Sequence, residues 1–142
     1  MHLYITGPMT GIPQFNIPAF DAAAAALRSQ GYDVTNPAEE EDTPAVRAAG
    51  LASTTGNLAD LAPTGQTWGD LLARDVKIVA DRVDGVVLLP GWENSRGARL
   101  EAFVAVQCRK PVYLYQQDGS FLPFSASRTM AVIHRYTLES LR

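Results

Sequence analysis

Short apolar runs alternate with longer stretches of helical periodicity along the chain, and the two periods divide it into elements. His2-Leu-Tyr-Ile-Thr6 reads as a first strand closed by Gly7-Pro8. Ala19 to Gln30 is helical, with Asn16 as N-cap, Pro18 in the first turn and Gly31 as the stop. Tyr32-Asp-Val-Thr35 makes a short second strand before Asn36-Pro37. Thr67 and Asp70 form a capping box that opens a helix running to about Ala80. Asp84-Gly85 turns into a buried strand at Val86 to Leu89, a helix spans roughly Gly97 to Arg109, and Val112-Tyr-Leu-Tyr115 is the next strand. Strands alternating with helices predict an α/β fold with a parallel sheet of four or five strands. In the tail, Met130-Ala-Val-Ile-His134 reads either as a fifth strand before a short helix or as part of one irregular helix.

Residues 38–66 interrupt this rhythm. Acidic Glu39-Glu-Glu-Asp42 is followed by scattered Pro and Gly, and only Ala45 to Leu51 invites a short helix. Such a connection reads equally as a flexible insertion, a lid, or plain disorder. No repeat or second domain is visible, so residues 1–142 form one domain.

Composition narrows the function. A net charge of −3 argues against a polymeric nucleic-acid partner, although one local phosphate pocket remains compatible with it. No stretch approaches a membrane span, and the N-terminus enters a strand without a leader-like apolar core, so a cytoplasmic protein without membrane contact is expected. Cys108 is the only cysteine and is expected as a buried thiol; neither His2 nor His134 has a partner at metal spacing, and no metal or cofactor is expected. Asp81 and Asp84 read as helix-end and turn residues.

Three positions carry candidate chemistry. Glu101 sits in the opening turns of a small-residue helix over the carboxyl end of the sheet, where open α/β folds bind ligands. Helix-terminal N–H groups would help keep it ionised; the plain alternative is a glutamate complementing the helix dipole. Asp75 falls on the apolar stripe of Trp68, Leu71, Leu72, Val76 and Val79, so its carboxylate needs an inward partner, either an ion pair or a ligand. Tyr4 shares a strand face with His2 and Thr6, where its hydroxyl would steer Glu101 if the two meet. Around them, the Gly7-Pro-Met-Thr-Gly11 loop (with Met9 and Thr10), Ser95 and Gly97 suit an anion, and Phe15 with Trp92 suits a flat base, the plainer alternative being packing and loop anchoring. Arg96 and Arg99 are further phosphate candidates. The loop has neither dinucleotide nor Walker spacing.

These residues lie in blocks that resemble the nucleoside 2-deoxyribosyltransferase-like superfamily, and more closely its branch called domain of unknown function 4406 (DUF4406), found in bacteriophages and bacteria. The blocks are Leu3-Tyr-Ile-Thr-Gly-Pro-Met-Thr-Gly11, Phe15-Asn16 with Pro18-Ala-Phe20, Gly31-Tyr-Asp-Val-Thr-Asn-Pro37, Arg74-Asp75, Asp84-Gly85-Val86, Leu89-Pro-Gly-Trp-Glu-Asn-Ser95, Gly97-Ala98 and Leu100-Glu101. The resemblance implies a flavodoxin-like, Rossmann-like three-layer sandwich and a cofactor-free site completed in a homodimer or homotetramer. It implies Glu101 as nucleophile, with Tyr4 and Asp75 assisting, acting on a small-molecule deoxynucleoside or deoxynucleotide. Hydrolysis of the N-glycosidic bond, 2-deoxyribosyl transfer between bases, and nucleotide binding or protein interaction without catalysis are the readings it leaves. Ser95 matches the phosphate-binding serine of a related 5′-monophosphate hydrolase branch. That branch's basic residue in the first loop is missing here, as is the transferases' acidic residue before the Gly-Thr-rich turn.

Overall fold

The computed structural model describes residues 1–40 and 44–142. Five strands, β1 (His2–Thr6), β2 (Asp33–Thr35), β3 (Gly85–Leu88), β4 (Val112–Tyr115) and β5 (Phe121–Phe124), form one sheet in the order β2-β1-β3-β4-β5. The pairings β1–β2, β1–β3 and β3–β4 are parallel, and β4–β5 is antiparallel. The described residues form five α-helices, of which α1 (Ile17–Ser29), α3 (Trp68–Asp81), α4 (Arg96–Gln107) and α5 (Ala126–Ser140) flank the sheet while α2 (Pro44–Ala52) packs on the short turns beside it. This is a flavodoxin-like α/β arrangement, in which the strand order reverses direction between β1 and β3 and opens a crevice beyond their carboxyl ends.

Alternation along β1 assigns its two faces. Leu3 and Ile5 pack with Val87 against Phe20, Ala23, Ala24 and Leu27 of α1. Tyr4 points the other way, into a cluster with Ile78 and Val79 of α3, Val86 and Leu88 of β3, and Ala98, Ala102 and Ala105 of α4. The small residues of α4 let that helix lie close on the sheet, which brings Glu101 against β1. A third cluster, Phe15, Ile17, Ala38 and Leu61, lies outside the two sheet faces.

Local rules account for the element ends. Thr67 and Asp70 form a reciprocal capping box, both bonds at 3.0 Å. Asn16 stands at the N-cap position of α1, but its side chain donates to the carbonyl of Pro8 instead of capping. Asp84 accepts the His2 N–H at 2.8 Å, and Asp81 pairs with Lys77 at 2.7 Å.

Of the two readings of residues 130–134 the helical one holds, since they belong to the continuous helix α5, and the fifth strand is Phe121–Phe124 instead. Its pairing with β4 through the tight Gln116–Ser120 turn is antiparallel, so no crossover helix is needed. Cys108 is exposed rather than buried, because α4 ends at Gln107 and the cysteine is its C-cap, past the cover of the sheet. In the long connection, short 3-10 turns at Pro37–Glu39 and Leu58–Thr64 flank α2. Glu41 and Asp42 of the acidic run lie outside the described residues.

Candidate active site

Tyr4 and Thr6 are two residues apart on β1, so both hydroxyls face α4. Each donates to Glu101: the Tyr4 hydroxyl to Oε1 at 3.1 Å and the Thr6 hydroxyl to Oε2. Glu101 is buried in the second turn of α4, and both carboxyl oxygens are held. Asp75 reaches the same space from α3. Its Oδ1 accepts Nε of Arg74 at 2.8 Å, while Arg74 Nη2 donates to the carbonyl of Pro37 at 3.0 Å. Both side chains of this pair are mostly covered, at 17% and 13% exposure.

The electrostatics reverse one expectation. Burial, reinforced by the charge of Asp75, pushes the Glu101 carboxyl up to about 8 against the opposing hydrogen bonds from Thr6 and Tyr4. The first-turn N–H groups do not offset this, since Glu101 lies one turn further on and the Ala98 N–H is taken by Ser95 Oγ. Burial also raises Asp75, to about 6, with Arg74 the main opposing influence. The Tyr4 phenol is driven well above its ordinary range by burial and by Glu101, so it stays a donor. The charge of Asp75 disfavours ionisation of Glu101, so the two acids titrate as a coupled pair.

Around the pair is a cavity of about 500 Å³, within the roughly 300–1,000 Å³ typical of small-molecule sites. Tyr4, Asp75, Glu101, Gly7, Met9, Thr10, Phe15, Ser95 and Gly97 all line it. Gly11 does not; its left-handed φ of 85° turns the loop, and its N–H bonds to the Gly56 carbonyl at 2.9 Å. Trp92 is also elsewhere, buried beneath α4 and edge-on to Phe124 with ring centroids 6.4 Å apart. The indole in the cavity wall is Trp68, covered by the Arg96 guanidinium at 4.5 Å from the ring centre. Arg99 is buried and donates to the Glu93 carbonyl, away from the cavity.

Sequence reasoning passed over three contributors. Thr6 was accessible, since it shares a strand face with Tyr4 at the end nearer the crevice. Trp68 stood on the apolar stripe of α3 and looked like core. Arg47 carried no signal, because it arrives from the long connection. It pairs with Asp21 at 2.7 Å and donates to the Ala38 carbonyl at 2.9 Å.

No curated protein matches the chain. The family model described as a domain of unknown function, DUF4406, matches residues 1–114. That span runs from β1 past α4 and includes Tyr4, Thr6, Asp75 and Glu101, so the chain belongs to the DUF4406 family.

Proposed function

We propose that the protein hydrolyses the N-glycosidic bond of a 2-deoxynucleoside or its 5′-monophosphate, with Glu101 as nucleophile. The observation that carries the reading is the clamp of Tyr4 and Thr6 on both oxygens of Glu101 in a cavity that Asp75 also lines. A carboxylate so fixed loses little freedom on attack, and a second acid with a raised pKa can hold a proton for a leaving group. The deoxyribosyl preference follows the family resemblance. Lacking a 2′-hydroxyl makes the oxocarbenium-like state easier to reach, so two acids and tight positioning suffice for such a substrate.

In the one-proton state the proton rests mainly on Glu101, the more basic of the two; the reacting form is the tautomer in which that proton has passed to Asp75 and Glu101 is ionised. A Glu101 oxygen bonds to C1′ as the C1′–N bond breaks, and the electron pair leaves with the base nitrogen, which takes the proton from Asp75. Water then attacks C1′ and gives its proton to Asp75, and the Glu101–C1′ bond breaks to restore the carboxylate. A second base replacing water in that step would give transfer instead. Ser95 and Gly97 at the start of α4, with Arg96 beside them, suit the sugar's 5′ side.

A homodimer or homotetramer completes the reading. Leu100 and Phe103 flank Glu101 in sequence on α4 and stay 38% and 37% exposed, apolar area that a second subunit would cover. The family resemblance supports a small-molecule role in bacterial or phage-infected cytoplasm; no helix among the described residues is long and apolar enough to cross a membrane.

Incubation with a panel of deoxynucleosides and their monophosphates, read by chromatography with and without acceptor base, tests the activity. Glu101→Ala is expected to abolish base release while the circular dichroism spectrum is kept. Wild-type release by that variant would remove Glu101 from the mechanism.

A further inference from the structure

The cavity has two chemically different ends. Tyr4, Thr6, Asp75 and Glu101 form one, at the carboxyl edge of β1. At the other, Val46 of α2 and Leu58 and Leu61 of the following 3-10 turn meet Met9, Phe15 and Leu71 from the first loop and α3. None of these six side chains offers a strong hydrogen-bonding group. Among the described residues, the charged side chain the connection brings to this wall, Arg47, is already engaged by Asp21 and the Ala38 carbonyl.

This apolar chamber is held against backbone strain. Gln14, Phe15 and Asn16 are consecutive non-glycine residues in the left-handed region, at φ 57°, 51° and 59°, a conformation that side chains other than glycine adopt at a cost. Gln14 N–H to the Ser53 carbonyl at 2.7 Å, Gln14 Nε2 to the Leu51 carbonyl at 3.1 Å and Asn16 Nδ2 to the Pro8 carbonyl at 2.9 Å hold the turn. Through it, Phe15 is buried against the connection while still lining the cavity.

We propose that this chamber receives the departing base and selects it by apolar area, so that the preferred substrates are 2-deoxynucleosides whose base carries an alkyl substituent. The assignment of the occupant as a base rests on the glycosidic reading above. A site that reads a base by its polar edge must present donors and acceptors that go unpaired with the wrong base, which is how large discrimination arises. The six side chains named present none, so what they can reward is buried hydrocarbon. Each methylene accommodated is worth about four-fold in affinity.

Calorimetric titration of the full-length protein with two homologous series, uracil to 5-propyluracil and adenine to N6-propyladenine, measures that preference without turnover. Affinity is expected to rise about four-fold per added carbon over the first one or two steps in at least one series. In Leu58→Asn and Val46→Ser, both at half-buried positions, the rise should flatten. Affinity that is flat or falling along both series, or a slope unchanged in both variants, overturns the proposal. The matching deoxynucleosides separate the two readings. If the free bases bind in the expected order and no deoxynucleoside is cleaved, the chamber stands and the glycosidic reading falls. If deoxynucleosides are cleaved with kcat/KM indifferent to alkyl length, the chamber's selectivity falls and the glycosidic reading stands.

Discussion

Two hydroxyls on one strand face hold a carboxyl whose burial disfavours its charge, and a second acid nearby adds to that penalty. On the mechanism proposed, turnover needs one proton on the Asp75–Glu101 pair. Below about 6 the pair gains a second proton and the nucleophile is lost; above about 8 it loses its last and the base departs unprotonated. The profile of kcat/KM against pH is therefore expected to be a bell with limbs near those values. In Asp75→Asn the charge that helps raise Glu101 is gone but its burial remains, so the alkaline limb should disappear and one acid limb, the ionisation of Glu101, should remain between about 6 and about 8. The maximum should drop by about 10²–10⁴-fold, the usual worth of a general acid. An unchanged bell in that variant would exclude Asp75 as the second titrating group.

At the scale of elements, the long connection meets the first loop along a strip of backbone. Gly11 N–H bonds to the Gly56 carbonyl, and Gln14 N–H to the Ser53 carbonyl. Gly56 has φ 71°, and a Cβ there would lie 2.2 Å from the Ile12 carbonyl oxygen. Gly56→Ala is expected to part the two loops, raising KM at least ten-fold while the sheet core keeps its melting transition within a few degrees; unchanged KM would mean the strip does not shape the cavity. This is also where legibility ran out. The strands β1 and β4 and the capping box were readable, because periodicity and local capping chemistry decide them, whereas periodicity gave only the strand face of Tyr4 and left its meeting with Glu101 conditional. In the long connection only the short helix at Ala45 to Leu51 was readable, observed as Pro44–Ala52; the placing of α2 and the turn at Leu58–Thr64 was not, because tertiary contacts with Phe15 and Ile17 hold them. Trp92 misled for a related reason: an aromatic after a strand suits a ligand or a core equally, and only the packing of Phe124 decides between them.

For the whole molecule, the order β2-β1-β3-β4-β5 puts the crevice beside β1, and α3 and α4 each deliver one acid to it. The same side of the sheet leaves Leu100 and Phe103 exposed. If a second subunit covers them, Phe103→Asp should lower the mass measured by light scattering from that of an oligomer to that of a single 15.4 kDa chain. A wild-type protein already running as a single chain would dispose of the subunit contact.

The loop-to-loop strip also implies a division of labour that can be exploited. Catalytic acids and their hydroxyl clamp belong to the sheet and its covering helices, whereas half of the greasy wall, Val46, Leu58 and Leu61, comes from residues 44–64. Grafting a different stretch between Glu40 and Gln66 would then retune which molecules enter, with the reacting groups left where they stand.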